Sequence, residues 1–426
     1  MKRDDNANND DRRVALQTGD IHGTEADRDA GRGRHPRVRS AGALGVAVFL
    51  LLSAAGLVEA VEIPFSARQS IDAEFTRVDS AVAADINGDG DLDVVGASSD
   101  GLSWWQNTSG DGSTWAEEII DSNSTGVNLI RAVDIDGDGD LDVLGSTNLV
   151  AGRIDWWENT EGDGSAWEMQ TIVAFNFSNA SSVQAADIDG DGDLDVVGAS
   201  QSDDEIAWWE NTAGDGSLWT KNSVDSMFDG ARSVDVADID GDGDLDIAGA
   251  AITADDFAWW ENTGGDGTAW IEHSIDDNVN TASFVHLADM DGDGDADVLG
   301  AASTAGDIVW WENTAGDGTA WNERSIDNNF GASFVQLEDL DGDGDLDVLG
   351  AASFGNAIAW WENTAGDATA WTERTIDGGF DRPFSVFAAD LDGDGDLDVL
   401  GAASTTGDID WWENETIHRS ATFPED

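Results

Sequence analysis

The phrase "DLDGDGDLDVLGAAS" begins at Asp339 and returns almost unchanged at Asp390. Close relatives begin at Asp85, Asp134, Asp187, Asp238 and Asp289. Successive first aspartates lie 49, 53, 51, 51, 50 and 51 residues apart. A period near fifty residues is too long for a solenoid turn and fits a propeller blade. Seven such units nearly fill the stretch from Ser66 to Phe423 and leave no space there for a second domain.

Each unit parses into four short strands. In the sixth they are Ser333–Asp339, Leu346–Ser353, Ala357–Asn363 and Ala370–Asp377. Apolar and β-branched residues fill them, and Gly, Asn and Asp fill the gaps. No segment keeps a 3.6-residue period. The expected fold is therefore all-β: a seven-bladed β-propeller of four-stranded antiparallel blades over residues 64–423. Radial repetition of such blades protects the sheet edges. Two segments compete to close the ring, "FSARQSID" (Phe65–Asp72) and "ETIHRSATF" (Glu415–Phe423). Each resembles a fourth strand, and only one is needed.

The 20 tryptophans obey the same period. Fourteen form seven Trp-Trp pairs, from Trp104-Trp105 to Trp411-Trp412, and the other six start the fourth strands. Adjacent strand residues face opposite sides of a sheet, so a Trp pair needs both sides covered, as between two neighbouring blades. Packing between blades is expected rather than seven sugar-stacking platforms.

The chain carries a net charge of -70, almost all of it beyond residue 40. Such a body repels nucleic acid and anionic membrane surfaces. A hydrophobic content of 40% argues against disorder. Cysteine is absent, which excludes disulfides, thiolate metal sites and cysteine nucleophiles. Residues 1–60 read as a leader: an apolar run from Ala41 to Val58 follows Arg32, Arg34, Arg37 and Arg39, and Val58-Glu59-Ala60 resembles a cleavage site. The alternative is an uncleaved signal anchor, since eighteen apolar residues just span a bilayer. Either way the expected location is secreted or cell-surface, with membrane contact only through that anchor.

Five acids in nine residues repel one another. At about 4 Å each pair costs about 1 kcal/mol in water and about 4 kcal/mol near a protein surface. Alternate side chains on a curled loop converge on one centre, which suits a hard cation. The candidate ligands occupy positions one, three, five, seven and nine of each loop. They are Asp85, Asn87, Asp89, Asp91 and Asp93 in the first loop, and Asp134, Asp136, Asp138, Asp140 and Asp142 in the second. Asp187, Asp189, Asp191, Asp193 and Asp195 form the third; Asp238, Asp240, Asp242, Asp244 and Asp246 the fourth. Asp289, Asp291, Asp293, Asp295 and Asp297 form the fifth; Asp339, Asp341, Asp343, Asp345 and Asp347 the sixth. Asp390, Asp392, Asp394, Asp396 and Asp398 form the seventh. Position six is glycine, for the tight turn, and position seven would serve through its backbone carbonyl. Dense oxygen cages suit Ca²⁺ better than Mg²⁺, which dehydrates reluctantly. About seven Ca²⁺ sites are expected, the first weakest because Asn87 lacks a charge. A solvated acidic turn is the bland alternative. The loop is not an EF-hand: position twelve is Gly350 rather than Glu, and a strand follows.

The motif D-x-[DN]-x-D-G-x-x-D followed by "LGAA" resembles the FG-GAP/VCBS repeat family, which includes the calcium-binding blades of integrin α-chain propellers. The family's Pro is missing from every copy, and its Phe-Gly pair is partial, as in "NNFGASF". The resemblance implies a seven-bladed propeller with Ca²⁺ in the first hairpin loop of each blade. It implies no one activity, because the fold hosts lectins, adhesion modules and some polysaccharide lyases.

Strand alternation puts the acidic loops and the "ENTAGDGTA" loops on one face. The opposite face varies from copy to copy, as in "STNLVAGR" (Ser146–Arg153), "SQSDDE" (Ser200–Glu205) and "DGGFDRPF" (Asp377–Phe384). One innermost-strand position also varies and is expected to face a central channel: Val82, Arg131, Gln184, Asp235, His286, Gln336 and Phe387. Support for catalysis is thin. Tyrosine is absent, only His273, His286 and His418 follow the leader, and there is no Gly-x-Ser-x-Gly or phosphate loop. No catalytic residue is assigned. The expected function is a secreted, non-catalytic, calcium-binding scaffold for adhesion or ligand binding, its partner an extracellular glycan or surface protein. The alternatives are a lectin using the variable loops and a calcium-dependent polysaccharide lyase.

Overall fold

The computed structural model describes residues 64–73, 75–174 and 176–416. The leader, its cleavage site or anchor, and most of "ETIHRSATF" lie outside the described residues. Within them, 28 strands form seven four-stranded sheets. Blade 1 is a meander of β2 (Val78–Ala84), β3 (Asp93–Ser98), β4 (Gly101–Asn107) and β5 (Trp115–Asp121), each antiparallel to the next. Five further blades repeat that order. The fold is the seven-bladed, all-antiparallel propeller that the repeat predicts.

Ring closure falls to the N-terminal segment. Strand β1 (Gln69–Asp72) pairs antiparallel with β28 (Ile409–Trp412), completing the seventh blade after β26 (Pro383–Ala389) and β27 (Asp398–Ala403). A bridge between Phe65 and Asn414 extends the seam. The Glu413 carbonyl accepts from Ser66 N–H at 2.7 Å, and the Pro64 carbonyl accepts from Glu415 N–H at 3.0 Å. Arg68 binds Asp377 at 2.7 Å and lies over the Phe380 and Trp412 rings.

The core sits between blades. One cluster joins Val197, Ile206 and Trp208 of blade 3 to Phe228, Ile247 and Trp260 of blade 4, and the other clusters repeat this arrangement. All fourteen paired tryptophans are at most 3% exposed, so packing accounts for them. At about 150–250 Å² per ring and about 25 cal/mol per Å², each buried Trp contributes about 4–6 kcal/mol of gross transfer free energy. A Phe in the linker before a blade stands edge-on to the second Trp of that blade, as Phe177 does to Trp209 at 4.9 Å. The second strands are buried at every position, and the fourth strands are partly exposed. That gradient is what a sheet running from hub to rim requires.

Candidate metal centres

Each acidic loop joins the first and second strands of a blade. The sixth-position glycines have φ between 96° and 100°, a region that L-residues disfavour. The tight turn expected there is present in every copy. Loop N–H groups bind loop carboxylates. Asp339 Oδ2 accepts from Gly344 N–H at 3.0 Å, and Asp341 Oδ1 from Asp343 N–H at 3.1 Å. Asp343 Oδ1 accepts from Asp345 N–H at 3.1 Å.

Positions one, three and nine come together. Asp134, Asp136 and Asp142 offer oxygens within 4.8 Å of one another, as do Asp187, Asp189 and Asp195. So do Asp238, Asp240 and Asp246; Asp289, Asp291 and Asp297; and Asp339, Asp341 and Asp347. Position five lies close enough to raise its neighbours: the Asp138 carboxylate acts on both Asp136 and Asp142. The position-seven side chains point elsewhere. The Asp91, Asp140, Asp193, Asp244, Asp295 and Asp345 carboxylates rest against Gly110, Gly162, Gly214, Gly265, Gly316 and Gly366 in the loop between the third and fourth strands.

Position nine has a second task. In every blade its two oxygens accept separate backbone N–H groups. Asp347 takes Leu340 at 3.1 Å and Asn363 at 2.8 Å; Asp93, in the first loop, takes Ile86 at 3.2 Å and Asn107 at 2.9 Å. This carboxylate therefore pins the loop to the third strand while facing the other acids. All seven position-nine residues are at most 1% exposed. Burial foremost, with help from neighbouring carboxylates, pushes Asp142, Asp195, Asp246 and Asp297 up to about 7, and Asp347 and Asp398 to about 8. Asp93 rises only to about 6, beside the uncharged Asn87. Position three also rises: Asp341 and Asp392 reach about 6, through burial and then the adjacent position-five carboxylate.

Two contributors carried a sequence signal that the acidic pattern overshadowed. The third strand ends in Trp-Trp-Glu-Asn in six copies and Trp-Trp-Gln-Asn in the first. The Glu raises position three electrostatically, as Glu158 does to Asp136 and Glu413 to Asp392. The Asn side chain reaches the previous blade. Asn159 Nδ2 donates to the Ile86 carbonyl at 3.0 Å, Asn211 to Ile135 at 3.2 Å, and Asn107 to Leu391 at 3.0 Å across the seam. Asn159 Oδ1 accepts from Gly164 N–H at 2.9 Å. Six of the seven acidic loops are thus tied to the next blade; in the sixth blade Asn363 Nδ2 is enclosed without a partner.

The donor set fits a divalent cation. Each group offers hard carboxylate oxygens in excess of the available N–H donors. Asp134 Oδ1, Asp187 Oδ1 and Asp390 Oδ1 are enclosed without a donor. A buried carboxylate oxygen without a partner is costly, and a cation at the centre of the group satisfies it. The clusters can therefore hold metal ions. The first loop differs twice: Asn87 replaces an Asp, and Gln106 replaces the Glu and donates to Asp89 Oδ2 at 3.3 Å.

His273 sits on the strand surface, as expected from its register with Arg324 and Arg374. Its Nε2 lies 3.0 Å from Glu261 Oε2, and its ring stacks on Trp259 at 4.5 Å. Arg324 and Arg374 make the same pairing with Glu312 and Glu362 over Trp310 and Trp360. Of the variable innermost-strand residues, Arg131, Gln184, Asp235, His286, Gln336 and Phe387 line one central cavity.

A lectin of Agrocybe aegerita, solved for its specific recognition of non-reducing terminal N-acetylglucosamine, has a similar structure. The TM-score is 0.51 at 22% identity, over 72% of this chain and 81% of the lectin chain. BBS1N in complex with ARL6DN, soaked with mercury, matches with a TM-score of 0.56 at 11% identity, over 83% of this chain and 96% of the other. The lead-soaked crystal gives 0.56 and 11%, over 82% and 96%. At these identities the likeness is one of fold. No curated protein sequence matches the chain. The model of the FG-GAP-like repeat matches residues 85–145, 187–249, 289–350 and 339–401, more than half the chain and in register with the acidic loops. Repeat period, loop geometry and family match agree, and the chain belongs to the FG-GAP-like repeat family.

Proposed function

We propose that the protein is an extracellular, non-catalytic propeller braced by about seven Ca²⁺ ions, whose variable loop face binds a glycan or a surface protein. One observation carries the metal part: repeated groups of three carboxylates, two half-buried and one buried, some with oxygens that no donor reaches. Oxygen-only groups of this density favour Ca²⁺ over Mg²⁺. The ion stabilises by binding the native state alone, about 2.7 kcal/mol per site when free Ca²⁺ is a hundredfold above the dissociation constant. Because the Asn side chains couple loop to neighbouring blade, the effect extends to the blade interfaces. The apolar segment behind an arginine-rich stretch supports export, and a calcium-rich exterior suits sites of modest affinity.

The lectin reading has its own support in the fold shared with the Agrocybe aegerita lectin. The lyase reading is weaker, since the imidazoles of His273 and His286 are both engaged by carboxylates. Equilibrium dialysis with calcium, followed by a glycan array in millimolar calcium, tests the proposal. Stoichiometric calcium binding with a saturable glycan or protein ligand is expected. Failure to bind calcium would remove the brace, and ultraviolet-absorbing unsaturated products from a polyuronate would replace the scaffold with a lyase.

A further inference from the structure

Neither the acidic loops nor the variable loops account for the centre of the ring. The cavity there has about 290 Å³ of water-fillable space. It is lined by residues of the innermost strands of six blades. One wall is a polar arc drawn from four consecutive blades. Arg131 Nε donates to Gln184 Oε1 at 3.0 Å, and Gln184 Nε2 donates to Asp235 Oδ1 at 2.8 Å. Asp235 Oδ2 takes Leu287 N–H at 2.9 Å and lies 2.7 Å from His286 Nδ1. The rest of the lining is aromatic: Phe284 and Phe334, with ring centroids 4.4 Å apart, and Phe387.

The arc is not self-sufficient. A guanidinium carries five N–H donors. Arg131 engages one with Gln184 and another with the Ile130 carbonyl at 3.1 Å, so three remain. No carboxylate among the described residues forms an ion pair with it. Asp235, the acid of the arc, faces Gln184, Leu287 and His286 rather than Arg131. Burial draws the Arg131 pKa down, with Asp235 only partly opposing. Gln336 gives its Nε2 to Glu338 Oε1 at 3.0 Å and leaves its own Oε1 enclosed without a donor. Glu338 is half-buried, bonded by Gln336 and near His286, and burial raises its carboxyl. A plain solvated channel does not require an unpaired guanidinium and an unmet acceptor beside an aromatic wall. Leaving the enclosed Gln336 acceptor unpaired is costly, while the remaining Arg131 N–H groups open on the cavity and are available to a ligand.

We propose that this chamber binds a small hydroxylated monocarboxylate, the chemistry of a uronic acid. Its carboxylate takes the free N–H groups of Arg131, a planar fork suited to two parallel bonds. With a turn of the Gln336 amide, whose Oε1 is enclosed in this conformer, a ligand hydroxyl donates to that oxygen, and the ligand's C–H face lies on Phe284, Phe334 and Phe387. This site is separate from the variable loop face and does not depend on what those loops bind.

Isothermal titration calorimetry of the full chain in millimolar calcium, with D-galacturonate and neutral D-galactose as probes, tests the assignment. Saturable galacturonate binding is expected at a dissociation constant of about 1 mM, at least about tenfold tighter than galactose. Arg131→Gln should abolish that preference. Arg131→Lys, which keeps the charge and loses the fork, should weaken galacturonate about fivefold. Gln336→Leu should weaken both sugars. The proposal is overturned by absent galacturonate heat, by equal affinity for the two sugars, or by a preference that survives Arg131→Gln. If a melt shows that Arg131→Gln does not fold, Gln336→Leu decides, and unchanged affinities there overturn the proposal.

Discussion

Removing calcium should make the stability of this protein fall as pH rises. The position-nine carboxyls move from an ordinary 3.8 to about 6 in Asp93, about 7 in Asp142, Asp195, Asp246 and Asp297, and about 8 in Asp347 and Asp398. The folded-state value is raised, so between about pH 4 and pH 8 the native state holds protons that the unfolded chain has released. Stability then declines with pH across that window. A move from 3.8 to about 7 corresponds to about 4 kcal/mol per loop once the group is ionised. Seven such loops exceed the roughly 5–15 kcal/mol that typically holds a domain together. Without metal the ring must protonate its loops or open them. On the proposed reading calcium takes the place of the proton, so its effect should grow as pH rises. Melts followed by tryptophan fluorescence, in chelator and in millimolar calcium, at about pH 5 and about pH 8, measure this linkage. Chelated protein should melt lower at the higher pH. The calcium-chelator gap should widen to at least about 10 °C, given about 2 °C per kcal/mol in a domain of this size. Equal midpoints with and without calcium at the higher pH, or a gap independent of pH, would refute the reasoning.

Two substitutions in the sixth loop should separate metal binding from hairpin pinning. Asp341→Asn removes charge from the group and should lower the melting point mainly in calcium. Asp347→Asn also sets an amide N–H₂ against a backbone N–H, from Leu340 or Asn363, and should cost about 1–3 kcal/mol in chelator at about pH 5, where the native carboxyl is protonated and the substitution relieves no charge. Equal losses for the two in chelator would count against a double role for position nine. Calcium titration should resolve a first site weaker than the rest, and Asn87→Asp should strengthen it; an unaltered isotherm would show that loop charge does not set affinity. Ala368 has φ 51° and is buried where five other blades place glycine with φ of 63° to 70°. Ala368→Gly should therefore stabilise the fold by about 0.5–1 kcal/mol in a denaturant titration, unless the blade has relaxed around the methyl group.

The repeat specified much of this protein locally. A fifty-residue period, four short apolar runs per unit, a glycine at the turn and a Trp pair facing both ways are each readable within one copy. They led to blade number, strand order and buried tryptophans without reference to distant residues. The acidic loops were legible for the same reason, since their ligands lie within nine residues. The tertiary structure decided whatever joins residues remote in the chain. Strand β1 rather than the C-terminal segment closes the ring, because pairing Gln69 with Trp411 depends on how the two ends meet. The side chain of position seven turns to a loop some twenty residues away, as Asp91 does to Gly110. In six blades the Asn that ends the third strand bridges to the previous blade, a contact across 73 residues for Asn159 and Ile86. Arg131, Gln184, Asp235 and His286 stand about fifty residues apart in sequence and form one arc only because the ring turns them inward together. Period and alternation report which face a side chain takes within its own sheet. Which side chain it meets is set by the packing of one blade on the next.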